Sequence, residues 1–212
     1  MDIVTKIRAR AKGKLKPIVL PEIEDARVKE AAKIIEQEGI ARVLLFGRGM
    51  LDKAKQEKYA NDYYELRKSK GLSLDEARGA LEDPLYYAAM MTHNRDADGF
   101  VAGASHTTPD VARAAIRCLG VDERINIASS CFLMSVPDCS YGEEGAFIFA
   151  DCGIVPDPNA RQLACIAISN AELAKKVLGI MPRVALLSYS TKGSAKGRAI
   201  DKTLDALALA KQ

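Results

Sequence analysis

Short branched apolar runs alternate with amphipathic helical segments near the start of the chain, and this alternation limits the possible folds most strongly. The run Pro17–Glu22 is short and apolar, as a buried strand is, and Ala41–Gly47 repeats the pattern. Between them, Asp25 is placed to cap a helix whose apolar residues recur with helical spacing over 28–35, and Gly39 is placed to end it. The order predicts a strand, helix, strand unit of the parallel kind.

Four later apolar runs are further strand candidates, and each leads into small, hydroxyl or acidic residues. The aromatic share is only 6%, which favours a layered α/β core rich in Ala, Ile, Leu and Val. In an open parallel sheet the carboxyl ends of the strands meet at one edge, where ligands bind, so we expect the following loops to share one cleft. The four candidates are Gly99–Ala104, Ile125–Ser130, Ala146–Cys152 and Arg183–Ser190.

Length and charge restrict the broad class of protein. A chain of 212 residues has room for one large domain, or for one domain and part of another, since domains are typically ~100 to 150 residues long. The linker-like Pro137–Gly145 predicts a border that divides the chain into a first domain, 1–140, and a partial second domain, 141–212. The net charge is only +3 with the signs interspersed, which disfavours a nucleic-acid partner.

The cysteines and the apolar segments bear on location. Five cysteines form no C-x-x-C pair, which indicates free thiols in a reducing cytoplasm. No stretch reaches the ~18 consecutive apolar residues of a spanning helix, and the N-terminus has no long apolar core of an export signal. The sequence therefore predicts a cytoplasmic protein with no membrane partner.

Three polar stretches are candidate binding elements, and each has a plainer alternative. The loop Ser190–Ser194 joins a predicted strand to a helix and suits a phosphate or an oxyanion, but an ordinary solvated turn fits its spacing equally. Thr107 and Thr108 precede a helix that carries Arg113, which also fits a capped helix with a surface ion pair. Arg67 lies in a basic helix end, where the helix dipole alone favours cations.

Two further polar residues have no assigned role in binding. His106 is one of only two histidines, and a single histidine in a loop is weak support for a catalytic base. Asp151 follows an apolar strand, where it either orients another group or caps a turn.

Together these stretches resemble the phosphate acetyltransferase (phosphotransacetylase) family, the phosphate acetyl/butyryltransferases. The resemblance rests on the residues of these segments and on their order, and it extends over nearly the whole chain. It implies a three-layer α/β/α fold like that of isocitrate and isopropylmalate dehydrogenases, with the second domain incomplete. The matching segments are LRKSKGLSLDEA (66–77), DADGFVAGASHTTPDVARAA (96–115), VPDCSYGEEGAFIFADCGIVPDPNARQLACIAI (136–168) and PRVALLSYSTKGSAKG (182–197).

The resemblance implies an activity of acetate metabolism, the reversible reaction of acetyl phosphate with CoA to give acetyl-CoA and phosphate. A base removes the CoA thiol proton, the thiolate attacks the acyl carbonyl, and donors hold the oxyanion and the departing phosphate. CoA is then a substrate, no cofactor is permanently bound, and the chemistry needs no metal. Members of the family are usually homodimers.

The resemblance also implies site residues. Arg67 and Arg113 match arginines that hold CoA, a task suited to the bidentate guanidinium. Hydroxyl residues on the same side are Thr107, Thr108, Ser129 and Ser130. The acyl-phosphate side is formed by Ser190, Thr191, Lys192, Gly193 and Ser194.

One family motif is missing. The chain has no SRG triplet, although an LSRG-type segment supplies the catalytic serine and arginine of the family, followed by the acid that acts as base. The catalytic residues are therefore expected beyond Gln212, and the chain by itself is expected to be inactive. Two alternatives stay open, a phosphate butyryltransferase and a non-catalytic CoA-binding or dimerisation module.

Overall fold

The structure is a computed structural model that describes residues 3–191 and 193–211. These residues form two compact units, one of 8–120 and one that combines 3–7 with 121–211. The first helix, α1 (Ile3–Ala11), is divided between them. This division by contacts lies at Gly120, and the domain border expected after residue 140 stays a prediction.

The unit of residues 8–120 contains a three-stranded parallel sheet with β1 (Pro17–Leu20) at its centre. β1 pairs on one side with β2 (Arg42–Leu45) and on the other with β3 (Gly99–Phe100). The helix α2 (Ala26–Gln37) connects β1 to β2, and Asp25 caps it by accepting the Arg27 N–H at 2.8 Å. The predicted strand, helix, strand unit is confirmed.

The core of this unit is formed by helices that pack beside the sheet. The buried α5 is apolar on nearly every side, and Ser73 and Glu76 form a capping box at the start of α4. Two buried tyrosines of α3, Tyr59 and Tyr63, pack edge-on against rings of α5. The helices are α3 (Lys53–Arg67), α4 (Leu74–Ala80), α5 (Pro84–His93) and α6 (Thr108–Leu119).

In the other unit, an antiparallel strand pair and two helices make up the regular structure of residues 121–211. β4 (Cys131–Ser135) pairs with β5 (Ala146–Ala150), and Cys131 lies opposite Ala150. α7 (Ala160–Leu178) packs against α8 (Arg198–Ala210). The buried residues of both helices are mostly alanine and isoleucine, which allow the helices to approach closely.

Two of the predicted parallel strands are wrong. Over Ile125–Ser130 the chain begins with a turn, in which the N–H groups of Ile125 and Asn126 both donate to the Asp122 carbonyl, and no ladder follows. Arg183–Ser190 also forms no strand, and its Leu187 side chain is 88% exposed. A strand requires a hydrogen-bonded neighbour, and neither segment has one within the described chain.

The third correction concerns the hairpin. Sequence reasoning missed β4 and expected Ala146–Cys152 to join a parallel sheet, whereas β5 runs antiparallel to β4. The linker-like Pro137–Gly145 is the connection between these two strands. Gly145 has φ +84°, and Val136 donates its N–H to the Gly145 carbonyl at 2.9 Å, which closes the turn. The described residues therefore contain no single parallel sheet with all four strands, and the cleft expected between their loops stays a prediction.

Candidate functional site

The loop after β3 closes around the carboxylate of Glu22, which follows β1. Glu22 accepts the backbone N–H groups of residues 103–106, each at 2.9 Å. Ser105 adds its hydroxyl at 3.0 Å, and the His106 Nδ1 lies 2.7 Å from the same carboxylate. Since β1 and β3 are parallel neighbours, their carboxyl ends bring these residues to one edge of the sheet.

The charge of Glu22 is stabilised by this loop although the side chain is only 3% exposed. Burial by itself raises the pKa of a carboxyl group, but the hydrogen bonds from Ser105, Ala104 and His106 outweigh it and lower the Glu22 pKa to about 2. The residue is thus ionised at neutral pH. Sequence reasoning assigned Glu22 no role, and the signal that points to it is an acidic residue at the end of the apolar run that contains β1.

The start of α6 presents three of the predicted site residues. Thr107 caps the helix, and its hydroxyl donates to the Asp110 carboxylate at 2.5 Å. Arg113 donates to the same carboxylate at 2.8 Å from an exposed position. The hydrogen bond from Thr107, followed by that from Arg113, lowers the Asp110 pKa. The capped helix with a surface ion pair is therefore the arrangement observed, and Thr108 begins the helix with an exposed side chain.

Arg67 ends α3, next to a 3-10 turn over Lys68–Lys70. No carboxylate of the described chain lies within ion-pair distance of its half-buried guanidinium, whereas Lys68 pairs with Glu65 at 2.5 Å. Burial raises the pKa of the Cys118 thiol in α6 to about 12, and the nearby charge of Arg67 opposes that shift. Arg67 thus lies on a helix that packs against the helix of Arg113.

In the other unit, the predicted Ser130 is held by Asp151. The Asp151 carboxylate accepts both the N–H and the hydroxyl of Ser130 at 2.8 Å. It also accepts the N–H groups of Gly153 at 2.7 Å and Ile154 at 2.8 Å. Burial opposes ionisation, but these four hydrogen bonds hold the Asp151 pKa well below its usual range. Asp151 thus fulfils both of its expected alternatives, since it orients Ser130 and caps a turn.

Ser129 has a different partner from its neighbour. Its hydroxyl lies 3.4 Å from that of Ser169 in α7, and Ser169 also donates to the Ile166 carbonyl at 3.1 Å. The two adjacent predicted serines therefore contact different elements, Ser129 the helix α7 and Ser130 the end of β5.

The predicted loop before α8 is closed by hydrogen bonds of its own. The Ser190 hydroxyl accepts the Ala195 N–H at 3.2 Å, and the Ser194 hydroxyl accepts the Thr191 N–H at 2.9 Å. Gly193 has φ +85°, a conformation that favours glycine. Lys192 lies outside the described residues. The turn brings Ser190, Thr191 and Ser194 together and leaves most of them exposed.

Metal-binding and membrane-spanning features are absent from the described chain. Within residues 3–191 and 193–211, no three His, Cys, Asp or Glu side chains form a group that fits a metal ion. In the same residues, no helix is both long enough and apolar enough to cross a bilayer. The five cysteines are all unpaired.

Comparison with known proteins identifies the family. The family model described as phosphate acetyl/butaryl transferase matches residues 2–212, and the chain belongs to this family. Among its relatives, the phosphate acetyltransferase of Thermoanaerobacterium thermosaccharolyticum is 43% identical, with 100% of this chain and 70% of the relative aligned. The phosphate acetyltransferase of Acetivibrio thermocellus is 42% identical, with the same shares of 100% and 70%.

Solved structures show the same relationship. A phosphotransacetylase from Streptococcus pyogenes superposes with a TM-score of 0.88 at 34% identity and covers 99% of this chain and 68% of its own. The EutD phosphotransacetylase from Staphylococcus aureus superposes with a TM-score of 0.81 at 30% identity, with shares of 99% and 68%. The α/β fold with a parallel sheet is therefore that of phosphotransacetylase structures.

Proposed function

We propose that the chain contributes substrate-binding residues to phosphate acetyl transfer, the reversible reaction of acetyl phosphate and CoA to give acetyl-CoA and phosphate. The observation that carries this proposal is the family match over residues 2–212. The names of the relatives support acetyl over butyryl transfer, because two relatives aligned over the whole chain are both phosphate acetyltransferases. CoA is a substrate in this proposal and no cofactor is permanently bound.

Arg67 and Arg113 are the proposed CoA ligands. CoA is an anion with phosphate groups, and a guanidinium holds phosphate oxygens through two parallel hydrogen bonds. Arg67 has no carboxylate partner within the described chain, so its charge is available. The Arg113–Asp110 pair has half-exposed side chains, and an exposed ion pair contributes at most about 1 kcal/mol, so a phosphate competes with Asp110 at little cost.

The hydroxyl residues complete the proposed site in two groups. Thr107, Thr108, Ser129 and Ser130 are assigned to the CoA side, and Ser190, Thr191, Lys192, Gly193 and Ser194 to the acyl-phosphate side. The exposure of Thr108 and Thr191 supports these roles, since their hydroxyls are open to a ligand. Ser130 already donates to Asp151, so its hydroxyl is oriented before any ligand binds.

The finer fold assignment and the assembly belong to the same proposal. We place the chain with the three-layer α/β/α architecture of isocitrate and isopropylmalate dehydrogenases. A homodimer is proposed with it, and the exposed cross-strand pair of Phe132 and Phe149, 58% and 56% accessible, supports self-association. Light scattering of the purified chain measures the subunit count, and a monomer at all concentrations contradicts the dimer.

Calorimetric titration with CoA tests the proposed ligands. Arg67→Ala and Arg113→Ala are each expected to weaken CoA binding about tenfold or more, since a charge-assisted hydrogen bond contributes about 1.5–3 kcal/mol. Arg124→Ala is the matched control, because Arg124 is also an exposed arginine paired with a nearby aspartate, Asp122, at 2.8 Å. Unchanged affinity in both variants rejects the two ligands, and tighter binding of butyryl-CoA than of acetyl-CoA supports the butyryl alternative.

A further inference from the structure

Glu22 is a charged side chain in a place where charge is costly. Among the described residues it is the one buried polar or charged side chain, and it accepts six hydrogen bonds from a single loop. Removing a carboxylate from water is unfavourable unless hydrogen bonds replace its hydration. The loop over 103–106 supplies that replacement, so the ionised carboxylate and the loop conformation depend on each other.

The dependence is strong because both carboxylate oxygens are occupied. One oxygen of Glu22 accepts the N–H groups of Gly103 and Ala104. The other accepts the N–H groups of Ser105 and His106 and the Ser105 hydroxyl. In a Glu22→Gln variant, the amide NH₂ replaces one of the two oxygens. Whichever oxygen it replaces, it then faces two backbone N–H groups, and donors cannot hydrogen-bond to each other. Without the carboxylate, four backbone donors converge on a point with no acceptor.

Other contacts hold the outside of this loop. Arg27 donates to the Ala104 carbonyl at 2.7 Å, and it also pairs with Asp25 at the start of α2. The His106 Nε2 lies 3.7 Å from the Asp83 carboxylate, which caps α5. The loop is thus connected to α2, α5 and β1, with the Glu22 carboxylate at the point where its backbone N–H groups meet.

We propose that Glu22 is a positioning residue for CoA binding: it orders the loop 103–106 and so places the start of α6, where Thr107 and Thr108 lie, with Arg113 one turn further along the helix. The loop runs directly into Thr107, the residue that caps α6, so its geometry sets where that helix begins. The role in CoA binding rests on the proposed function. The ordering of the loop is testable without any ligand.

Hydrogen exchange of the 212-residue chain tests the ordering. In Glu22→Gln, the amides of residues 103–106 are expected to exchange at least tenfold faster than in the wild-type chain, while the β1 and β2 amides keep their protection. Glu24→Gln is the matched control, since it makes the same change two residues away at an exposed position. If Glu22→Gln does not fold, Ser105→Ala, which removes one donor to Glu22, is expected to speed exchange of the same amides about twofold. The proposal is overturned if the variant that folds shows the same exchange rates for the amides of residues 103–106 as the wild-type chain.

CoA titration then separates positioning from stability. Glu22→Gln is expected to raise the CoA dissociation constant at least fivefold. The buried-core variant Leu81→Ala, compared at a temperature where both variants are fully folded, is expected to leave it unchanged. An equal loss in both variants means that Glu22 acts through stability alone and overturns the positioning role. If the wild-type chain binds no CoA, the proposed function fails and the role of Glu22 in CoA binding fails with it, while the exchange experiment still decides whether Glu22 orders the loop.

Discussion

Asp151 holds Ser130 at two points, through the serine N–H and through the serine hydroxyl, each at 2.8 Å. The residues are 21 positions apart and meet because β4 and β5 pair antiparallel, with Cys131 opposite Ala150. The hydroxyl also accepts the Cys152 N–H at 3.3 Å. Ser130 is therefore fixed in orientation by the fold itself.

We expect Asp151→Asn to destabilise the chain by about 1–3 kcal/mol, because the amide NH₂ is directed at an N–H donor that the carboxylate accepted. Urea unfolding followed by circular dichroism measures this, since the chain has no tryptophan for fluorescence. Asp138→Asn is the control, because Asp138 is exposed in the hairpin connection and has φ +52°, which asparagine tolerates. Equal stability of the two variants contradicts the structural role of Asp151.

The contribution of Glu22 to stability is expected to depend on pH. Its pKa falls from 4.5 to about 2 on folding, so its stabilising effect is complete above pH 4.5 and is lost as the pH falls through 2. The free energy of unfolding of Glu22→Gln is therefore expected to lie below that of the wild-type chain by an amount on the order of 3 kcal/mol at pH 7. The difference should shrink steadily towards pH 2. Denaturant unfolding across this range checks the trend, and a pH-independent difference contradicts it.

Gly145→Ala and Gly193→Ala form a matched pair. Both glycines have φ near +85°, at +84° and +85°, so both variants pay for left-handed backbone, about 1–2 kcal/mol. A Cβ at Gly145 lies 2.0 Å from the Val136 carbonyl oxygen, whereas one at Gly193 has no atom of the described residues beyond its chain neighbours within 4 Å. We expect Gly145→Ala to cost a further ~1–3 kcal/mol in urea unfolding. Equal costs contradict the close approach in the β4–β5 connection.

CoA binding is expected to weaken with salt. If Arg67 and Arg113 hold phosphates at exposed positions, raising the ionic strength from about 0.1 M to about 1 M screens the attraction, since the Debye length falls from about 10 Å to 3 Å. The double variant of both arginines to alanine is expected to show a clearly smaller dependence. Titrations at several salt concentrations measure it. A salt dependence that is identical with and without the arginines rejects their role as phosphate ligands.

The helices were predictable because their signals are local. Asp25 precedes α2, Ser73 and Glu76 form a capping box, and α5 is apolar on nearly every side. Each signal depends on residues within a turn or two of one another. The parallel pairing of β1 with β2 followed in the same way from the short helix between them.

The strand pairing of residues 121–211 was not predictable from apolar runs. Arg183–Ser190 carries the same apolar signal as Ala146–Ala150, yet among the described residues only Ala146–Ala150 has a strand neighbour, β4. An apolar run indicates that a segment is suited to a sheet. Which strand it pairs with, and whether the pair is parallel or antiparallel, depends on residues far away in sequence.

The sequence by itself determined the family, the helices and the residue types available for binding an anion. The tertiary structure alone decided which of those groups are already engaged. The sequence gives Glu22 no evident role, but in the fold the loop after β3 donates four backbone N–H groups to it. Asp151 had two possible roles in the sequence, and the pairing of β4 with β5 places Ser130 within hydrogen-bond distance of it. The physical reason is that backbone donors are the same in every residue, so only the folded path of the chain determines where they converge.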